Sequence, residues 1–258
     1  MRALTKILSA AAVAASLAAM SAPAAAADVT TFANYSQATG GKFIRWTQSA
    51  AGTGGSLFTS ATSLGTTPGA EDTFFTFWDT PLVNLNAKFT LMATVPNGHI
   101  ATLSGGRLTQ ANLGGEFSFI YSGADFSYGG VNFVHNVTNL LHGVFTGGSI
   151  SGNRGATSGS ADDATTSLGT ITYTSDFYDF ADGDRDFSIA LTGITSGLNA
   201  LPTAGAPTRA LRNFNASSGG QFSAVLAVPE PATWALMLMG FGGMGALLRR
   251  QRHAAALA

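Results

Sequence analysis

Residues 185–193 read RDFSIALTG and residues 221–228 read QFSAVLAV. In each, every second side chain is apolar: Phe187, Ile189 and Leu191 in the first, Phe222, Ala224, Leu226 and Val228 in the second. A strand sends successive side chains to opposite faces, whereas a helix groups them three and four apart. Both stretches therefore read as half-buried strands. The same period runs through EFSFIY (116–121), which puts Phe117, Phe119 and Tyr121 on one face. KFIRWT (42–47), TFFTFW (73–78), AKFTLMAT (87–94), LHGVFTGGSI (141–150) and LGTITYTS (168–175) add segments rich in Phe, Thr, Ile and Tyr, separated by Gly, Asn, Asp and Pro. Many short strands divided by turn residues predict an all-β antiparallel body, a β-sandwich or jelly-roll-like fold. TFFTFWD reads as a core strand. No heptad and no fixed-period repeat is present.

Three stretches poor in large apolar residues read as long flexible loops: AAGTGGSLFTSATSLGTTPGAED (50–72), GGSISGNRGATSGSADDATTS (147–167) and TSGLNALPTAGAPTRA (195–210). The chain has no cysteine, which removes disulfides, zinc–thiolate sites and thiol nucleophiles. Stability has to come from an apolar core, which about two hundred residues can supply as one domain.

The two ends differ from this body. Arg2 and Lys6 precede an apolar run from Ile7 to Met20, and small residues ending Ala25, Ala26 and Ala27 lead to Asp28. A charged start, a short apolar stretch and an A-x-A site predict a secretory signal peptide over 1–27, cut between Ala27 and Asp28 by signal peptidase after export. At the other end, residues 232–248 carry no charged side chain, and as a helix they would be roughly 25 Å long, barely enough to cross a bilayer. Gly240, Gly242, Gly243 and Gly245 leave that helix intrinsically weak, so membrane burial has to hold it. Arg249, Arg250 and Arg252 follow at once, and basic residues stay on the cytoplasmic side, which places the body outside. Between these ends, residues 28–228 hold eight basic and thirteen acidic residues, a net of about −5, which gives nucleic acid no electrostatic footprint.

Ahead of the apolar run, Pro229 and Pro231 bracket Glu230, hold the backbone extended and exclude a helix there. Pro229, Glu230, Pro231, then Trp234 and Ala235, a Gly-rich span and the basic cluster occur in that order. This resembles the PEP-CTERM sorting signal, in its PEPxxWA variant, carried by exported proteins of Gram-negative bacteria that make exopolysaccharide. The likeness covers about the last thirty residues, and the chain runs on through His253 to Ala258 past the usual basic end. The resemblance implies recognition by an exosortase, a membrane protease that removes the anchor near the PEP motif. The implied organisation is a signal peptide over 1–27, an extracytoplasmic body over 28–228 and a sorting tail over 229–258 that occupies the inner membrane transiently.

Chemistry within the body is sparse. DFYDFADGDRD (176–186) places Asp179, Asp182, Asp184 and Asp186 near one another, hard oxygen ligands of the kind calcium loops use. The glycine follows the first member of the alternating set and no bidentate Glu completes an EF-hand, so a solvated acidic turn is the competing reading. His99, His135 and His142 belong to no H-E-x-x-H; His135 and His142 are the pair a hairpin could bring together, against ordinary half-buried strand positions. No G-x-S-x-G elbow and no phosphate-binding loop occurs. Trp46, Trp78, Tyr121, Tyr128 and Tyr178 are the aromatics available to stack on sugar rings, against burial in a core. Asn136 and Asn215 stand in N-x-[ST] sequons, which carry little weight in a bacterial chain.

The expected function is that of a non-enzymatic exported protein without a cofactor, acting at the cell surface or in an exopolysaccharide matrix, as the resemblance implies. A carbohydrate-binding module is the alternative and a secreted hydrolase the third reading.

Overall fold

The computed structural model describes residues 29–78, 80–162 and 170–226, without the side chains of 181–183 and 226. The signal peptide expected over 1–27 and the helix expected over 232–248 lie outside those residues. Among the described residues every regular element is a strand, and no helix is long and apolar enough to cross a membrane.

A single 12-stranded antiparallel sheet closes on itself. β1 (Thr30–Gln37) and β2 (Ile44–Gln48) lie end to end along one edge of β14 (Phe214–Leu226), where Thr30 pairs with Ala224 and Trp46 with Phe214. β4 (Glu71–Phe77) and β3 (Gly55–Thr59) repeat the device one position further round, β4 beside β1 and β3 beside β2, and both reach one edge of β5 (Leu85–Val95). β5 pairs with β7 (Arg107–Tyr121), and β7 with β10 (Asn139–Asn153). β10 pairs with β11 (Ser158–Asp162) and β12 (Thr170–Thr174), β11 with β13 (Phe180–Thr192), and β13 with β14 again. β6 (Thr102–Ser104) pairs antiparallel with the start of β7, and β8 (Phe126–Tyr128) forms a separate hairpin with β9 (Val131–Phe133).

The closed sheet is flattened and filled. Phe187, Ile189 and Leu191 of β13, Phe222 and Ala224 of β14, and Phe117, Phe119 and Tyr121 of β7 all point inward and are buried, as their alternation predicts. The rings of Phe117 and Phe222 lie 5.2 Å apart across the interior, and Phe119 stacks on Phe89 at 4.5 Å. Side chains from facing walls thus touch directly, giving a sandwich-like core whose sheet edges are joined by hydrogen bonds. Joining them removes most of the unpaired strand edge that an open sandwich would expose.

Two of the expected loops are partly strand. The 50–72 stretch contains β3 and the start of β4, and the 147–167 stretch contains the end of β10 and β11. Small residues serve a purpose there. A Cβ on Gly55 would come within 2.5 Å of the Thr47 carbonyl oxygen, and one on Gly152 would sit 3.0 Å from Leu198 Cδ2. The third stretch, 195–210, is a packed cap: Leu198, Ala200 and Ala210 are fully buried, and Ala200 bridges to Leu211. TFFTFWD also needs correction at its end. β4 stops at Phe77, and Trp78, on the other side of the alternation, is 60% exposed.

Strand directions sort the connections onto two poles. Turns 49–54, 96–101, 154–157 and the 193–213 segment close one. The other receives the chain at Thr30, releases it at Leu226, and is closed by turns 78–84, 122–138 and 175–179.

Candidate functional site

The pole that carries both chain ends is built by the first and last strands. Phe222 pairs with the equally buried Ala33, which fixes the register there, and a β-bulge between Thr31 and Ala33 turns Phe32 inward as well. At its outer end Thr30 pairs with Ala224 and Thr31 with Ser223, and the two hydroxyls, Thr31 Oγ1 and Ser223 Oγ, are 3.1 Å apart. Leu226 pairs with Phe180 on the opposite edge. Pro229 follows three residues later, and a residue without a backbone N–H cannot extend such a ladder. Pro229, Glu230, Pro231, Trp234, Ala235, Arg249, Arg250 and Arg252 lie outside the described residues, as do Ala27 and Asp28.

Aromatic rings plug this pole from inside. Phe126 and Phe133 of the β8–β9 hairpin stack at 4.5 Å, Phe177 meets Phe133 at 5.8 Å and Phe77 at 4.8 Å, and Phe180 packs edge-on to Phe32 at 5.1 Å. Ser175 organises the turn behind Phe177: its Oγ donates to the Leu140 carbonyl and accepts from the Phe177 and Tyr178 amides. These bonds replace ladder bonds that the chain forgoes on leaving β12.

The acidic run lies along the same pole. Asp176 Oδ2 accepts the Asn139 amide at 2.7 Å, a structural use. Asp179, Asp184 and Asp186 are exposed, and the side chain of Asp182 lies outside the described residues. Among the described residues no three His, Cys, Asp or Glu side chains gather as a metal-binding group. The histidines are apart in their partnerships: His135 Nδ1 lies 3.1 Å from the Gly123 carbonyl, His99 Nδ1 2.9 Å from Asn112 Nδ2, and His142 Nε2 3.5 Å from Glu116 Oε2. Ser118 faces His142 across the β7–β10 ladder, but its hydroxyl pairs with Thr90 Oγ1 at 2.7 Å.

The sugar-stacking candidates also divide. Trp46 is fully buried with Nε1 donating to the Leu211 carbonyl at 2.9 Å, and Tyr121 is buried with its hydroxyl on the Ala124 carbonyl. Tyr128 and Tyr178 are half-buried among the pole aromatics. Trp78 alone of the five is exposed. A flat glycan platform needs several exposed rings on one face, which these positions do not provide.

One group escaped the sequence reading. Glu71 opens β4 at an inward position and is 1% exposed. It occupies the break between β1 and β2, where Gln37 Nε2 donates to its Oε1 and Ser218 Oγ lies 3.4 Å from its Oε2. Burial pushes its carboxyl up to about 7, against those two hydrogen bonds. The nearby Tyr35 hydroxyl is buried beside Ser218 and Glu71, and burial pushes it well above its ordinary value against the pull of the Ser218 hydroxyl. The signal was present in EDTFFTF: the series 71, 73, 75, 77 that buries Phe75 and Phe77 also buries Glu71.

The comparisons with known proteins bear on the tail. The PEP-CTERM protein-sorting motif matches residues 227–252. Neither a curated protein nor a solved structure matches the chain. β14 therefore runs directly into a PEP-CTERM protein-sorting motif, the tail of an exported protein that is processed by an exosortase.

Proposed function

We propose that the chain is a non-enzymatic exported protein whose closed β body is the delivered product and whose tail is the removable handle. In this reading the signal peptide sends residues 28–228 out of the cytoplasm, and the apolar run 232–248 holds the precursor in the inner membrane. Pro229, Glu230 and Pro231 present an extended segment to the exosortase, and the body ends at the cell surface or in exopolysaccharide matrix. The observation that carries it is the completeness of the hydrogen-bonded circuit by Leu226, three residues ahead of Pro229. A cut at the motif then releases a body that has lost no strand.

The test is intact-mass and C-terminal peptide analysis of the protein from its host, with membrane, surface and medium fractions compared. A species starting near Asp28 and ending near Pro229 is the expected product. A membrane-bound species still carrying residues 249–258 as the sole form would leave a permanent anchor and overturn the sorting step.

A further inference from the structure

Large exposed apolar side chains are concentrated on one end of the body. Val29, Trp78, Val83, Val134 and Val137 are exposed by 43, 60, 57, 37 and 68%. Val29 precedes the first strand, Trp78 and Val83 bracket the β4–β5 turn, and Val134 and Val137 stand in the turn between β9 and β10. All five therefore rim the pole at which Thr30 and Leu226 meet. Among the described residues the other exposed large apolar side chains, Leu64, Met92, Ile100 and Val144, belong to the side wall and the opposite pole. Exposed apolar residues scattered singly need no explanation, but their collection around one rim does.

The covalent chain says what that rim faces. Six Cα steps separate Leu226 from Ala232, where the apolar run begins, and six residues reach no more than about 21 Å. With the run in a bilayer, the pole is held within that distance of the lipid surface. Tryptophan with valines, presented on loops, is suited to the boundary between headgroups and acyl chains. The charged groups select the lipid. Asp125, Asp176 and Asp179 belong to the same pole, and Asp125 and Asp176 spend one oxygen each on the amides of His135 and Asn139. An acidic rim is repelled by anionic headgroups, so attraction has to come from apolar insertion into an electrically neutral interface.

We infer that the pole bearing Trp78, Val83, Val134 and Val137 is a membrane-docking surface that seats the precursor's body on zwitterionic phospholipid and holds the Pro229–Pro231 segment at the bilayer surface. The inference rests on the reading of 232–248 as the membrane segment. Shallow insertion, about 5–10 Å into the headgroup boundary, is what an interfacial apolar patch achieves. Seating also restricts the tether, so the segment a membrane protease must grip is presented at a fixed height. Once the tail is cut, the rim loses its high local concentration at the lipid and the body can leave.

Because the chain contains no cysteine, single labels can be placed cleanly. The full chain is reconstituted into phosphatidylcholine vesicles as Val137→Cys, Ile100→Cys or Ala246→Cys, each carrying a polarity-sensitive fluorophore, with nitroxide-bearing lipids as quenchers. The expected result is a blue shift and strong quenching by shallow nitroxides at position 137, deep-nitroxide quenching at 246, and neither at 100. Including phosphatidylglycerol should weaken the signal at 137, and Trp78→Ser in the Val137→Cys chain should reduce it further. Quenching at 246 with position 137 no different from position 100 would overturn the docking surface while leaving the anchor standing. Loss of quenching at 246 as well would overturn the anchor reading itself. Disulfide-linked dimers of unlabelled Val137→Cys chains in place of lipid contact, or a signal at 137 that requires phosphatidylglycerol, would likewise overturn the proposal.

Discussion

Thr31 Oγ1 and Ser223 Oγ lie 3.1 Å apart, joining the first strand of the body to its last at the pole where both chain ends emerge. An export segment and a sorting tail on one protein need not attach near each other. Here the Thr30–Ala224 pairing forces them together, because closing the sheet requires β1 to lie against β14. In the proposed reading of the tail, the pole that carries Thr30 and Leu226 is the end that faces the membrane.

Phe222 sits at the centre of that closure. Its ring lies within 6.3 Å of those of Tyr35, Phe75, Phe117, Phe119 and Tyr173, drawn from β1, β4, β7 and β12. Phe222→Ala would leave a cavity that walls already tied by hydrogen bonds cannot collapse to fill. A loss of about 3–5 kcal/mol is expected. Urea unfolding followed by circular dichroism reads it, and a loss below about 1 kcal/mol would mean that the facing walls do not share one core.

Glu71 predicts how stability responds to pH. Burial raises its carboxyl from 4.5 to about 7 in the folded chain, so the folded state holds a proton that the unfolded state has released. That proton contributes stability in full below about pH 4.5 and the contribution is lost as pH rises through about 7. Glu71→Gln keeps the shape, lets the amide meet Ser218 and Gln37, and removes the titration. At pH 8 the variant should exceed the wild type by up to roughly 3 kcal/mol, the two converging near pH 5. Urea midpoints at pH 5, 6, 7 and 8 decide it. A wild-type midpoint that rises between pH 6 and 8, or identical profiles for the two chains, contradicts the assignment.

Trp46 ties the opposite pole. Its indole N–H reaches the Leu211 carbonyl at 2.9 Å, and Gln110 Oε1 accepts the Leu211 amide at 3.2 Å, two buried side-chain bonds that join others, such as Gln48 Nε2 to the Ala210 carbonyl, in holding the cap. Trp46→Phe leaves that carbonyl unpaired inside the protein at a cost of about 1–3 kcal/mol. Hydrogen exchange should show faster opening of the 195–213 amides, with the ladders near Thr30 changed only by the global loss. Uniform acceleration throughout would show that the cap and the barrel open as one unit.

The strands whose alternation is legible are those with one buried and one solvated face. β5, β7, β13 and β14 each contain a run in which every second side chain is apolar and buried: Phe89 and Leu91, Phe117 to Tyr121, Phe187 to Leu191, and Phe222 and Ala224. β3 and β11 have no comparable pattern, and in them Gly55 and Gly159 stand where a Cβ would come 2.5 and 2.7 Å from a neighbouring carbonyl oxygen. What makes GGSLFT a strand is the pair of neighbours at Trp46 and Ala93, neither of which is local in sequence. Closure was illegible for the same reason: Thr30 and Ala224 each read as an ordinary strand residue. The sorting tail was legible because its signal is a linear order of residues. Glu71 could have been read from the alternation of EDTFFTF but was not, and the exposed rim appears only once turns 78–84 and 134–138 are known to share a pole.

Where the chain can be shortened separates the body from its handle. A stop after Val228 in the exported protein keeps all of β14, including the pairs of Thr30, Thr31 and Ala33 with Ala224, Ser223 and Phe222. It should fold with the urea midpoint of the full chain, because no ladder bond of the described body involves a residue beyond Leu226. A stop after Gln221 removes only seven further residues, yet it takes Phe222 from the core and strips the outer ends of β1 and β13 of their partner. Both strands would then expose unpaired edges at the pole where the chain begins, and the Phe222 loss of about 3–5 kcal/mol is already a large part of a typical domain's stability. That chain should fail to accumulate as folded protein. If the longer truncation also failed, the tail would be part of the fold, and cleavage at Pro229–Pro231 could not be the step that completes the protein. If both folded, the β1–β14 junction would not be what closes the barrel.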